Sequence, residues 1–166
     1  MKLPICLDDA KNGVLCDSCK ARHDSSEITP LDVTVSGVLA ELDSKFSLEN
    51  ASVTRAFHTQ KAVVLVTDGN VGVLVGKNGR IVRALSERLG KLVRVVQVTD
   101  DVKKSIVDLI GPKNIKSINK VYKAEGREEF IVTLFSGPGL KVVGTPAELS
   151  DVLTRATDSD VTVKFS

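Results

Sequence analysis

The chain has 166 residues, room for one compact domain or two very small ones. With 42% apolar and 27% charged residues it has the profile of a soluble globular protein, and no run approaches the roughly 18 consecutive apolar residues of a membrane span. The formal charge of +2 is too small to imply a nucleic-acid partner by itself. The opening Met1 to Asp9 turns acidic too early for a secretory signal, so a cytoplasmic location is expected, with no membrane partner.

Residues 1–28 carry no helical or strand period and read as a small separate element. Thr29-Pro30-Leu31-Asp32 then starts a helix, with Thr as N-cap, Pro at the first helical position and an acid in the first turn. Leu31, Val35, Val38, Leu39 and Leu42 continue it at helical spacing over about 31–43. Residues 51–58 and 62–67 are strand-like runs across a short polar turn. Val71 to Val75 forms a short buried helix, although its valines alone equally suit a strand. Gly76 to Gly79 interrupts, and Arg80 to Leu89 resumes with Ile81, Leu85 and Leu89 on one face, until Gly90 ends it. Residues 91–99 read as a strand. A helix through Val102, Ile106, Leu109 and Ile110 must stop at Gly111-Pro112. The last third holds a hairpin (115–123, 127–135), a capping box at Thr145-Pro146-Ala147-Glu148 opening a helix, and a strand at 161–165. Element order from 29 to 99 is α-β-β-α-α-β, and from 100 to 166 it is that order again, in part. An approximate internal duplication follows from element order, not from sequence identity.

Glycines at both ends of a four-residue turn between two helices let a nucleic-acid backbone approach closely, because neither carries a Cβ. The helix that starts next presents unpaired N–H groups and a partial positive end to phosphate. Lys77, Arg80, Arg83, Arg88, Lys91 and Arg94 make this stretch basic, opposed there only by Glu87, in a chain acidic near both ends. A Walker-type loop fails on spacing and on the missing Ser/Thr after Lys77. A dinucleotide fingerprint fails for want of Gly-x-Gly. Val93 and Val95 are open to two readings, groove or core. None of the six aromatic residues falls near the loop in sequence, so stacking on rings is not expected to dominate.

Val75-Gly76-Lys77-Asn78-Gly79-Arg80-Ile81-Val82 resembles the KH signature, an aliphatic residue before Gly-x-x-Gly and another after it. The α-β-β order before it is similar to the type II KH arrangement, and the whole chain resembles the short archaeal NusA-like proteins. That resemblance implies an α+β fold: a type II KH domain at 29–99, then a degenerate KH-like α/β unit at 100–166. A cysteine-rich, zinc-knuckle-like element at 1–28 would precede them. It implies single-stranded RNA as partner, RNA-binding residues Val75, Gly76, Lys77, Asn78, Gly79, Arg80, Arg83 and Arg94, and a role in transcription elongation or termination with RNA polymerase. In the second unit, Ser136-Gly137-Pro138-Gly139-Leu140-Lys141-Val142-Val143-Gly144 holds the loop position without a Gly-x-x-Gly, and Pro138 disfavours continuous helix.

All three cysteines lie in the first nineteen residues. Cys16-Asp17-Ser18-Cys19 has the spacing that lets two thiolates bind one tetrahedral ion, with Cys6 as third ligand of a structural zinc ion. Asp9 and His23 are rivals for the fourth position. NusA-like relatives carry a second Cys-x-x-Cys whose last residue would fall at Asp9. An RNA-binding protein without catalytic activity is the leading expectation, since no nucleophile–base pair or paired carboxylate motif accompanies these residues. The alternative is a zinc-anchored adaptor docking on RNA polymerase or the ribosome through its KH fold.

Overall fold

A computed structural model describes residues 1–137 and 141–166. The helix that Thr29 starts, Pro30–Phe46, is long because its apolar stripe runs on through Val35, Leu39 and Leu42 to Phe46, three residues past the expected end. Its cap is reciprocal. Thr29 Oγ1 accepts from the Asp32 N–H at 3.1 Å, and the Asp32 carboxylate accepts from the Thr29 N–H at 2.9 Å. Asp32 is 2% exposed, and its second oxygen accepts from the Ala56 N–H at 2.8 Å, which ties this helix to the first strand.

That strand, β1 (Arg55–His58), pairs antiparallel with β2 (Ala62–Thr67), which pairs parallel with β3 (Leu92–Gln97), giving the order β1-β2-β3. At 51–54 the expected strand is reduced to an isolated parallel bridge between Ser52 and Lys2, and β1 begins at Arg55. Every residue of β2 is buried, as a strand covered on both faces must be. Val63 and Leu65 face the helices on one side, and Ala62, Val64 and Val66 face the last third of the chain.

Between β2 and β3 run two helices, Val71–Val75 and Arg80–Leu89. The valines of the first are compatible with a strand. The helix wins because Asn70 caps it, its Oδ1 accepting from the Gly72 N–H at 2.8 Å.

After β3 come the helix Val102–Ile110, β4 (Ile115–Tyr122), β5 (Glu128–Leu134), the helix Pro146–Thr157 and β6 (Asp160–Phe165). β4 is antiparallel to β5 and β5 parallel to β6, the pairing pattern of the first sheet. The capping box at Thr145 and Glu148 forms as expected. The apolar core does not stop at residue 99. Ile106, Leu109 and Ile110, all fully buried, pack with Val64 and Val96 of the first sheet and with Val132, Leu149 and Leu153 beyond. Each such side chain contributes about 1.5–3 kcal/mol. Of the segment Ser136–Gly144, residues 138–140 lie outside the described residues, and the expected break at Pro138 falls there. Val143 is buried, and its carbonyl accepts from the Lys61 N–H and the Thr59 hydroxyl.

The N-terminal residues form two short helices, and in chain order these are α1 (Leu7–Asn12) and α2 (Asp17–Asp24), followed by α3 (Pro30–Phe46), α4 (Val71–Val75), α5 (Arg80–Leu89), α6 (Val102–Ile110) and α7 (Pro146–Thr157). Six and eight residues are too few to print a period in the sequence. Ile5, Ala10, Cys19 and Ile28 pack against Ala40 of α3 in a small core of their own. Among the described residues no helix is long and apolar enough to cross a membrane.

Candidate nucleic-acid interface and metal cluster

α4 ends where the Gly76 N–H meets the Gly72 carbonyl at 2.9 Å. Gly76 then takes φ 77° and ψ 170°, and a Cβ there would lie 2.7 Å from Cγ1 of Ile81, itself 4% exposed. A side chain here fits only if the buried Ile81 side chain gives way. Asn78 (φ 57°, ψ 25°) and Gly79 (φ 72°, ψ 19°) follow in the left-handed region, and the Gly79 N–H closes the turn on the Gly76 carbonyl at 3.1 Å. A Cβ on Gly79 would meet nothing within 4 Å, so this side of the turn is open. α5 starts directly after it, and no side chain caps its first turn. That geometry leaves the first N–H groups of α5 to an external acceptor.

Lys77, Asn78, Arg80 and Arg83 are exposed around this turn, with Val75 at its entry. Arg83 Nη2 donates to the Asn78 carbonyl at 3.1 Å, bracing the left-handed residue from one turn further along α5. Arg94 does not join them. It alternates with Val93 and Val95 on β3, which lie under α5 at 3% and 6% exposure, so its side chain leaves the opposite face of the sheet. Val93 and Val95 are therefore core, and the partly exposed apolar surface at the loop is Val71, Val73, Val75 and Val82. Arg88 is ion-paired with Glu41, and Lys91 Nζ donates to the Thr59 carbonyl. The basic stretch thus divides, with Lys77, Arg80 and Arg83 at the loop and the rest elsewhere.

One aromatic residue does reach the loop. The Arg80 guanidinium lies 5.5 Å from the centre of the Phe46 ring, with Lys45 Nζ at the same distance from it. Phe46 arrives from the end of α3, thirty-odd residues away in sequence. Its place on the stripe Leu39, Leu42, Phe46 was the available signal.

In the N-terminal element one ligand atom from each of Cys6, Asp9, Cys16 and Cys19 lies within 4.8 Å of the others. Cys6 and Cys16 are the N-caps of α1 and α2, and Asp9 and Cys19 are the third helical residues behind them. Each N-cap donates its N–H to the other helix's ligand: Cys6 to Cys19 Sγ at 3.5 Å, and Cys16 to Asp9 Oδ2 at 2.9 Å. Cys-x-x-Asp and Cys-x-x-Cys are therefore two copies of one half-site facing each other. The Cys6 and Cys16 sulfurs stand 4.0 Å apart, close to the about 3.8 Å that two thiolates on one tetrahedral zinc require. His23 is not in the group. It sits in the last turn of α2, about 6 Å further along the axis than Cys19, with Nδ1 4.0 Å from Asp24. Asp9, not His23, is the fourth candidate ligand.

The Cys16 N–H, helped by the thiols of Cys6 and Cys19, holds the Asp9 carboxyl well below the usual carboxylate range. The Cys6 N–H favours the Cys19 thiolate, but burial and the Asp9 carboxylate outweigh it and push that thiol up to about 12. Asp9 likewise raises the Cys6 thiol. Beside the Asp9 carboxylate the Cys6 and Cys19 thiols hold their protons unless a cation shares the site, and a divalent ion inverts that balance.

A family model for the NusA-like first KH domain matches residues 31–98, the segment from α3 to just past β3. Over 59 residues the chain is 29% identical to the probable transcription termination protein NusA of Methanocaldococcus jannaschii, covering 36% of this chain and 32% of that protein. The protein of the same name from Methanococcus vannielii is 25% identical over 59 residues, covering 36% and 34%. The matched stretch spans about a third of the length of these curated relatives. The crystal structure of APE1850 superposes with a TM-score of 0.48 at 19% identity, over 76% of this chain and 96% of that one. The glycine loop, the β1-β2-β3 pairing and the family match thus all fall on one segment, residues 31–98, which is similar to the first KH domain of NusA-like proteins.

Proposed function

We propose that this protein binds single-stranded RNA through the turn at Gly76–Gly79 and acts, without catalytic activity, as a cytoplasmic transcription elongation or termination factor on nascent transcripts. The observation that carries the RNA half is the turn itself. It has a glycine forced against Ile81, a second glycine open to solvent, and a helix start with no side-chain cap behind it. Backbone phosphate lies against the open side, held by N–H groups of α5 and by Lys77, Asn78, Arg80 and Arg83. The transcription half rests on the similarity to the archaeal termination proteins, and RNA polymerase is the partner it suggests.

On this reading residues 29–99 are the KH domain and 100–166 a KH-like unit that kept the frame and lost the clamp. A shared hydrogen bond supports it. Ser86 of α5 donates to the Val82 carbonyl and accepts from the Val93 N–H; Ser150 of α7 donates to the Pro146 carbonyl and accepts from the Val163 N–H. Residues 1–28 are a zinc-bearing element, with Cys6, Asp9, Cys16 and Cys19 as ligands. The ion supplies folding free energy to two helices too short to be stable alone.

Lys77→Asp with Asn78→Asp is expected to weaken binding of a single-stranded RNA at least about tenfold in fluorescence anisotropy, with the circular dichroism spectrum unchanged. Wild-type affinity in that variant would remove the loop as the site and favour an adaptor that docks on polymerase or ribosome. Elemental analysis of protein purified without chelator should find about one zinc per chain, lost in Cys19→Ser. Less than about a tenth of an equivalent in the wild type would sink the metal assignment.

A further inference from the structure

β3 is an edge strand, and the helices carrying the glycine loop lie over it. Under the same strand, on the face away from the loop, is a hollow of about 370 Å³ lined by Arg94, Ile110, Gly111, Pro112, Lys113, Asn114 and Lys141. No acid is among these residues. None of Arg94, Lys113 and Lys141 makes an ion pair among the described residues. Asp108, the acid of α6, is occupied by the Gln97 N–H and by Lys104. Arg94 Nε is buried and has no hydrogen-bond partner, and it is the only buried side-chain nitrogen or oxygen so left among the described residues. Such a group calls for a partner that the chain itself does not supply.

The hollow also has a built wall. Asn114 Nδ2 donates to the Ile110 carbonyl at 2.8 Å and to the Lys141 carbonyl at 2.9 Å, so the turn after α6 and the segment before α7 are fastened together around it. Lys141 comes from the stretch that replaces the glycine loop in the second unit.

We propose that this hollow is a second phosphate site, at which Arg94, Lys113 and Lys141 hold a backbone phosphate of the same RNA strand that the glycine loop grips. The proposal rests on the RNA reading of that loop. The two basic groups flank one strand edge from opposite faces, so a strand passing over the edge of β3 meets both. A guanidinium and two ammonium groups with no competing acid are the donors that phosphate oxygens take. The second unit then contributes to RNA binding by charge, without a glycine clamp.

The test uses the full chain and two oligouridylates, of about four and about twelve nucleotides, matched to the loop alone and to loop plus hollow. Arg94→Met with Lys141→Gln should bind the longer RNA about tenfold more weakly, and its slope of log affinity against log salt should fall by about 0.7, the share of one phosphate. Affinity for the shorter RNA should not change. Lys113→Gln with Lys141→Gln, both at exposed positions, repeats the measurement where the fold is not at risk. An unchanged affinity and slope for the longer RNA in both variants overturns the proposal, and so does an equal loss for the shorter one, which would route the effect through the loop. The Lys77→Asp, Asn78→Asp variant separates the two readings. If it binds the short RNA as the wild type does, the loop reading fails, and the hollow stands or falls on the longer RNA alone.

Discussion

The two three-stranded units use one frame and differ in one connection. In both, an antiparallel pair is extended by a parallel third strand, and a helix serine accepts from a valine N–H of that strand, Val93 or Val163. From β2 the chain reaches β3 through α4, the glycine turn and α5; from β5 it reaches β6 through the stretch 135–145, of which 138–140 lie outside the described residues, and α7. The frame therefore does not depend on the turn. It is set by apolar alternation and helix caps, which both units have, whereas the proposed clamp depends on a Gly-x-x-Gly turn and an uncapped helix start; the sequence 136–144 has no Gly-x-x-Gly, and α7 starts with a capping box. On the proposed reading, gain or loss of phosphate binding is a local change, made without disturbing the sheet.

The two glycines of the turn differ in what they guard, and substitution separates them. Gly76→Ala puts a Cβ against the buried Ile81 side chain at φ 77° and should cost about 2–3 kcal/mol in urea denaturation, with RNA affinity falling as α4 shifts against α5. Gly79→Ala meets only the cost of a left-handed alanine, about 1 kcal/mol, yet its methyl group projects where phosphate approaches. Its effect on RNA affinity should exceed its effect on stability. Equal stability losses at the two positions would mean that the Ile81 contact does not hold the turn.

Most of the frame was legible in the sequence because caps and periods encode it. Thr29 and Thr145 start their helices, Gly90 and Gly111 end theirs, and the period of two in Leu92–Gln97 marks β3. That same period already placed Arg94 opposite Val93 and Val95; grouping it with the loop by charge ignored which face it leaves. Phe46 was missed at the loop because its contact with Arg80 is tertiary, made where α3 crosses α5. The choice between Asp9 and His23 was closed to spacing alone. Both lie a few residues from a cysteine, and only the direction of α2 carries His23 away from the cluster. Helices as short as α1 and α2 leave no period from which that direction could be read.

The serine pair offers the finest test of the common frame. Ser86→Ala removes the acceptor for the Val93 N–H, and Ser150→Ala removes that for Val163, where the bonds measure 3.2 Å and 2.8 Å. Both N–H groups are part-buried, so each loss should cost about 1–2 kcal/mol, at the lower end of the range for an unsatisfied buried donor, with water making good some of it. If the units share a frame, the two costs should agree within about 0.5 kcal/mol in denaturant unfolding, and they should add in the double variant, since the serines sit in separate units and share no partner. Their effects on RNA should not agree. Ser86 lies on α5, the helix that begins at the clamp, and freeing its far end from β3 loosens the platform on which Lys77 and Arg80 are held. Ser150 lies on α7, which carries no clamp, so Ser150→Ala should leave RNA affinity where it was. A matching loss of RNA affinity in both variants would mean that the second unit takes part in the grip through its helix as well as its charge, and the separation of frame from clamp would fail.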